Sequence, residues 1–205
     1  LEQQVKLVTD YNALVIVGLW NRHIFNPDWI GKFLLPETEL TAEFPINIAG
    51  SWRVSTDKLR IFVVGNRLHL VPLKTDVEVF DLLQEIALKV GTYLPHTPVT
   101  AFGVNFLFEM SKPELINDVF NLPDLPQLAA NSIVPFSTNY KHVYRKDNRA
   151  ITINATIEGE KVQFDFNNNF EIKTLVNFKE LISQMGIVAM LHDAESVLNG
   201  VYLKK

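Results

Sequence analysis

Two spacings of apolar residues succeed each other along the chain, one of period two and one near 3.6, and their order predicts the fold. The run from Tyr11 to Trp20 is apolar and rich in β-branched residues, as a buried strand requires. Asn26-Pro27-Asp28-Trp29-Ile30 then offers a capping side chain and a proline suited to the first helical position. That short helix is expected to end near Leu35, because Pro36 disfavours helical geometry in the residue before it. Glu39–Asn47, Ser51–Thr56, Leu59–Val64 and Arg67–Leu73 read as strands, the last two joined by a tight Gly65-Asn66 hairpin. Thr75-Asp76-Val77-Glu78 has the form of a capping box. Behind it Val79, Leu83, Ile86, Val90 and Leu94 recur at helical spacing as one apolar stripe.

The second half repeats this order. Val99–Met110 reads as a strand with Phe102, Val104, Phe106 and Phe108 on one face. Ser111-Lys112-Pro113-Glu114 predicts a short helix through Phe120, followed by a proline-rich loop from Leu122 to Pro135. Tyr140–Arg145, Arg149–Glu158 and Lys161–Phe166 are expected strands, with turns at Lys146-Asp147-Asn148 and Glu158-Gly159-Glu160. Thr174 to Tyr202 predicts a long closing helix, bent near Gly186. The fold class expected is therefore α+β. Two tandem β-α-β-β-β-α units, residues 1–97 and 98–205, would form one curved antiparallel sheet with the long helices packed on one face. A repeat of roughly 90 residues lies outside solenoid periods and implies duplication of one compact unit.

This order of elements resembles the TATA-binding-protein-like architecture, in which two such units share a curved sheet with long helices on its convex side. The resemblance covers most of the chain, at the level of topology. A looser resemblance is to a sporadically distributed bacterial family without assigned function. Neither resemblance implies an activity, because one fold serves many functions.

Composition narrows the class. In 205 residues, 47% hydrophobic content with a net charge of −4 excludes a chain disordered throughout. No apolar run approaches the roughly 20 residues of a membrane-spanning helix, so no membrane association is expected. Zero cysteines exclude disulfides, thiol catalysis and thiolate zinc sites. The start, Leu1-Glu2-Gln3-Gln4, lacks the basic-then-apolar pattern of a secretory signal, and a cytoplasmic protein is expected.

Catalytic signatures are missing. The chain holds no Walker loop, dinucleotide glycine motif, Gly-x-Ser-x-Gly elbow or His-Glu-x-x-His. His23, His69, His96, His142 and His192 are far apart, without partners at ligand spacing, so no metal, cofactor or catalytic residue is assigned. Asp165-Phe166-Asn167-Asn168-Asn169 begins like a calcium loop. It lacks the glycine and the twelfth-position acid, and reads instead as a strand end running into a turn.

Strand faces carry the remaining signal. Ile151, Ile153, Ala155 and Ile157 share parity with each other, and Val162, Phe164 and Phe166 are expected beside them. The opposite parity holds Thr152, Asn154 and Thr156 with Gln163, Asp165 and Asn167, a hydrogen-bonding face. In the first half Arg53, Arg60, Arg67 and His69 form a candidate ligand-binding set, since the guanidinium fork matches carboxylate or phosphate. The closing helix ends apolar at Val197, Leu198, Val201 and Tyr202, a candidate interface with a second copy or another protein. Most of Trp20, Trp29, Trp52 and the 14 phenylalanines fall on apolar sides, and 23 acidic against 19 basic residues disfavour nucleic acid as a partner. The leading expectation is a non-enzymatic binding or assembly protein acting through a sheet face or helix edge. The alternative is a small-ligand, phosphate- or carboxylate-binding protein or enzyme with a site in the sheet concavity; nucleic-acid binding comes third.

Overall fold

Alternation of apolar and polar residues over long runs builds one large antiparallel sheet, and the helical stripes cover one side of it. The computed structural model describes residues 5–11, 13–44, 52–111, 130–131 and 137–203. The helix and loop expected between Ser111 and Pro135 lie outside these residues, but for Ser111, Ala130 and Asn131. In chain order the elements are β1 (Lys6–Leu7), β2 (Leu14–Gly18), α1 (Pro27–Trp29), β3 (Thr41–Glu43), β4 (Arg53–Ser55), β5 (Leu59–Val64) and β6 (Arg67–Pro72). Then come α2 (Val77–Tyr93), β7 (Val99–Met110), β8 (Ser137–Lys146), β9 (Arg149–Glu158), β10 (Lys161–Glu171), α3 (Leu175–Met185) and α4 (Ile187–Val197). Single π turns extend α1 over Ile30–Leu34 and α4 over Leu198–Tyr202.

The strand order is β3-β4-β5-β6-β2-β7-β10-β9-β8, with β1 pairing to β7 beyond the end of β2. Read outward from the β2–β7 junction, both halves run first strand, last strand, then the strands between in reverse. The chain leaves the edge of β7 between Val8 and Ala13. Val8 N–H donates to Leu107 at 2.8 Å, and the Ala13 carbonyl accepts from Asn105 at 2.8 Å. Register bears out the parity argument in the second half: Ile157 faces Val162, Ala155 faces Phe164 and Ile153 faces Phe166. These residues and Leu14, Ile16, Leu68, Leu70, Phe102 and Val104 join the helices in one core spanning both halves.

The helices start and stop for local reasons. The Asn26 side chain accepts from Trp29 N–H at 2.9 Å, with Pro27 in the first turn as expected. At α2 the capping box is not made: Asp76 takes the cap position with no side-chain cap bond, so Thr75 lies one residue too early. Val79, Leu83, Ile86 and Val90 are buried as the stripe requires. The closing helix breaks fully at Gly186, whose φ of 71° and ψ of 136° interrupt the helical ladder. Ile187 N–H, left without an intrahelical acceptor, donates to Gln84 Oε1 of α2 at 2.8 Å. Close packing of α2 on α3 depends on Gly91, where a Cβ would meet Lys179 Cγ at 2.6 Å.

The Asp165–Asn169 segment is neither a calcium loop nor a strand end. It lies wholly within β10, which continues to Glu171. Asp165, Asn167 and Asn169 project on one flat face and cannot converge on an ion, while Phe166 and Asn168 turn inward.

Candidate functional site

The four candidate residues of the first half all lie on the face opposite the helices. Arg53, Phe62 and His69 stand in register in one row across β4, β5 and β6, ending at Glu43 on β3. Arg53 lies over the Phe62 ring at 5.4 Å, and Phe62 stacks on His69 at 4.8 Å with planes 7° apart. Burial, followed by the charge of Arg67, pushes the His69 imidazole below its ordinary value. Arg53 meets Glu43 at 3.8 Å, and Arg60 meets Asp10 at 2.7 Å while its Nε donates to Ser55 Oγ. Two of the three guanidiniums therefore have carboxylate partners in their own chain. Arg60 also fastens the loop between β1 and β2, in which Asp10 takes a φ of 57°.

That loop carries Tyr11 across β7 to Asp165 on the same open face, where the phenol donates to the carboxylate. Burial raises the Asp165 carboxyl above its ordinary range, and hydrogen bonds from Tyr11 and Asn154 offset only part of this. Its Oδ1 is buried without a partner. Folding thus favours the protonated acid. The stability it contributes is full below the unfolded value of about 3.9 and is lost as pH rises through the folded value. Asp165→Asn keeps an acceptor for Tyr11 without the charge. Its stability relative to the native chain, from urea melts, is expected to rise as pH climbs from about 4 through the folded value. A difference flat over that interval would mean the native carboxylate is solvated.

A second arrangement was not singled out from the sequence. On the helix side, the β8–β9–β10 end of the sheet and α4 with its π turn enclose a cleft of about 530 Å³. Ile151, Ile153 and Phe166 form its floor on the sheet, Met190 lines it from α4, and Val197 and Val201 form part of its wall. Arg149 enters this apolar space at the start of β9. Its side chain is only 2% exposed, and Nη2 donates to Asp193 Oδ2 at 2.7 Å. Nε and Nη1, carrying three of the five guanidinium N–H groups, are buried with no hydrogen-bond partner. Lys146, 53% exposed, meets the same Asp193 oxygen at 2.9 Å. Burial pushes the Asp193 carboxyl up, and the hydrogen bonds and charges of Lys146 and Arg149 outweigh it, leaving the group below its ordinary value. At the other end Tyr202 Oη lies 3.4 Å from both Tyr144 Oη and His142 Nδ1. Burial and then the Tyr144 contact push the Tyr202 phenol above its ordinary value.

The candidate interface residues divide at this cleft. Leu198 and Tyr202 are buried within their own chain, whereas Val197 and Val201 are partly exposed along its wall. The signal for Arg149 was present in the alternation: it has the parity of Ile151, Ile153 and Ala155, a charge in an apolar position. Asn168, with the parity of Phe166 and Phe170, is buried the same way and donates to the Val104 carbonyl at 3.1 Å.

A larger depression of about 670 Å³ lies by β1 and the end of β7, where Glu109 and Lys161 pair at 2.9 Å. None of the buried, partnerless polar atoms among the described residues lines it. Among the described residues no group of three or more His, Cys, Asp or Glu could hold a metal ion. No described helix is long and apolar enough to cross a membrane. No family model matches the chain, and no curated protein or solved structure matches it either.

Proposed function

We propose that this chain is a non-enzymatic binding protein whose site is the cleft between α4 and the β8–β9–β10 end of the sheet, and that it takes a small anionic ligand with an apolar body. One observation carries this reading: a guanidinium 2% exposed, with two of its three nitrogens lacking an acceptor. Leaving a buried donor unmet costs on the order of 1–3 kcal/mol, and more when the donor is charged; an anion supplies the missing acceptor. The cleft's volume is within the range of about 300–1,000 Å³ usual for small-molecule sites, and its mix of apolar walls with few polar groups is also usual. The open-face arginines support a ligand site less well, because Arg53 and Arg60 already face carboxylates.

The probe for this reading is 1-anilinonaphthalene-8-sulfonate, an aromatic monoanion that fluoresces when desolvated. Saturable binding to the native chain is expected, and loss of it in Val197→Trp and in Val201→Trp. Both valines are partly exposed, so the added indole fills the cleft without displacing the core. Undiminished binding in both variants would move the probe elsewhere and overturn the reading.

A further inference from the structure

We infer, resting on the binding function just proposed, that the ligand is an amphiphilic monocarboxylate, its head against Arg149 and its chain along the apolar floor. The charge count selects the head. Arg149 and Lys146 against Asp193 leave one net positive charge in the cleft. A monoanion cancels it, whereas a dianion would leave a negative charge beside apolar walls, where an unpaired charge is strongly disfavoured.

The geometry of the arginine selects a planar acceptor. Asp193 engages Nη2 alone, so the buried Nε and Nη1 keep N–H groups without an acceptor at the cleft, and a carboxylate is the planar group that meets a guanidinium with two parallel hydrogen bonds. The floor selects the tail. Ile151, Ile153 and Phe166 present a continuous apolar strip from the sheet, and Met190 lies over it from α4, an unbranched side chain that adapts to chains of varied shape. Among the described residues lining the cleft, no second charge lies at the tail end; the Tyr144 and Tyr202 hydroxyls stand there, with the His142 ring 3.4 Å behind Tyr202.

Displacement of the fluorescent sulfonate at about pH 8 tests this, using decanoate, decanol, decyltrimethylammonium and decyl phosphate, the last a dianion at that pH. Decanoate is expected to compete at least about tenfold better than each of the other three. Arg149→Gln should weaken decanoate by about tenfold or more and leave decanol unchanged. Arg149→Lys keeps the charge but not the fork, and its affinity for decanoate should fall between the two. Equal competition by decanol and decanoate, tighter binding of decyl phosphate, or undiminished decanoate binding in both Arg149 variants would overturn the ligand class. Sulfonate binding in the cleft that decanoate does not displace removes the monocarboxylate and leaves the binding function standing. A sulfonate that does not bind in the cleft removes both.

Discussion

Phe102→Ala is expected to destabilise the chain by about 3–5 kcal/mol, the largest loss of any single truncation in the core. Phe102 is fully buried on β7, stacked on Phe170 of β10 at 4.3 Å with planes 2° apart, and met edge-on by Phe178 of α3 at 4.9 Å. Its backbone also stands opposite Ile16 of β2. One ring therefore joins the two halves of the sheet to the helical layer. Truncation removes its transfer free energy and leaves a cavity whose walls are held by three elements, so collapse is resisted. Aromatic pairing adds about 0.5–1.5 kcal/mol beyond area. For a chain of this length the thermal midpoint should fall on the order of 10 °C. Leu19→Ala, at a residue 74% exposed, should stay within about 0.5 kcal/mol of the native chain. A loss below about 1 kcal/mol at Phe102 would mean the three rings do not pack as described.

Much of this packing is legible in residue order alone, and the reason is local. A strand needs only its own alternation, so Val99–Met110 is read with the bounds it has in the structure. The Gly65 and Gly159 turns carry the positive φ their position demands. What alternation does not supply is which strand lies beside which. That β10 rather than β8 flanks β7 follows from pairing over some fifty residues of sequence separation, such as Phe108 with Phe164. The closing helix shows the same boundary between local and distant causes. Its periodicity runs through Gly186, but the break is held by Gln84 of a different helix. At the candidate sites, the arginines of the first half are visible as charges on polar parity. Their carboxylate partners are not, since Asp10 reaches Arg60 only through the loop between β1 and β2, some fifty residues earlier in the chain. Arg149 was hidden for the opposite reason. Its parity is apolar, and a single charge in an apolar row looks like the frayed start of a strand until α4 closes over it.

Asp193→Ala is expected to cost about 2–4 kcal/mol, out of proportion to a side chain 49% exposed. The loss comes from its partner. Without Asp193, the buried Arg149 guanidinium has no acceptor at all, and a charge in apolar surroundings is penalised far more than a surface pair is rewarded. Lys146→Ala, which removes the exposed cation from the same oxygen, should stay within about 1 kcal/mol. The acid limb follows from the lowered Asp193 carboxyl: its contribution is present above the unfolded pKa of about 3.9 and is lost as pH falls through the folded value. The gap between native and Asp193→Ala should therefore close in acid. Arg149→Met should be neutral or stabilising, because it removes both the desolvated charge and the unmet N–H groups. Combined with Asp193→Ala it should recover most of the loss, a coupling that urea melts of the four proteins measure directly. An ion pair that merely braces α4 against β9 predicts the reverse, with Arg149→Met as damaging as Asp193→Ala. Stability and ligand retention then separate in one protein: Arg149→Met should melt no lower than the native chain, yet decanoate should raise the native midpoint more than the variant's.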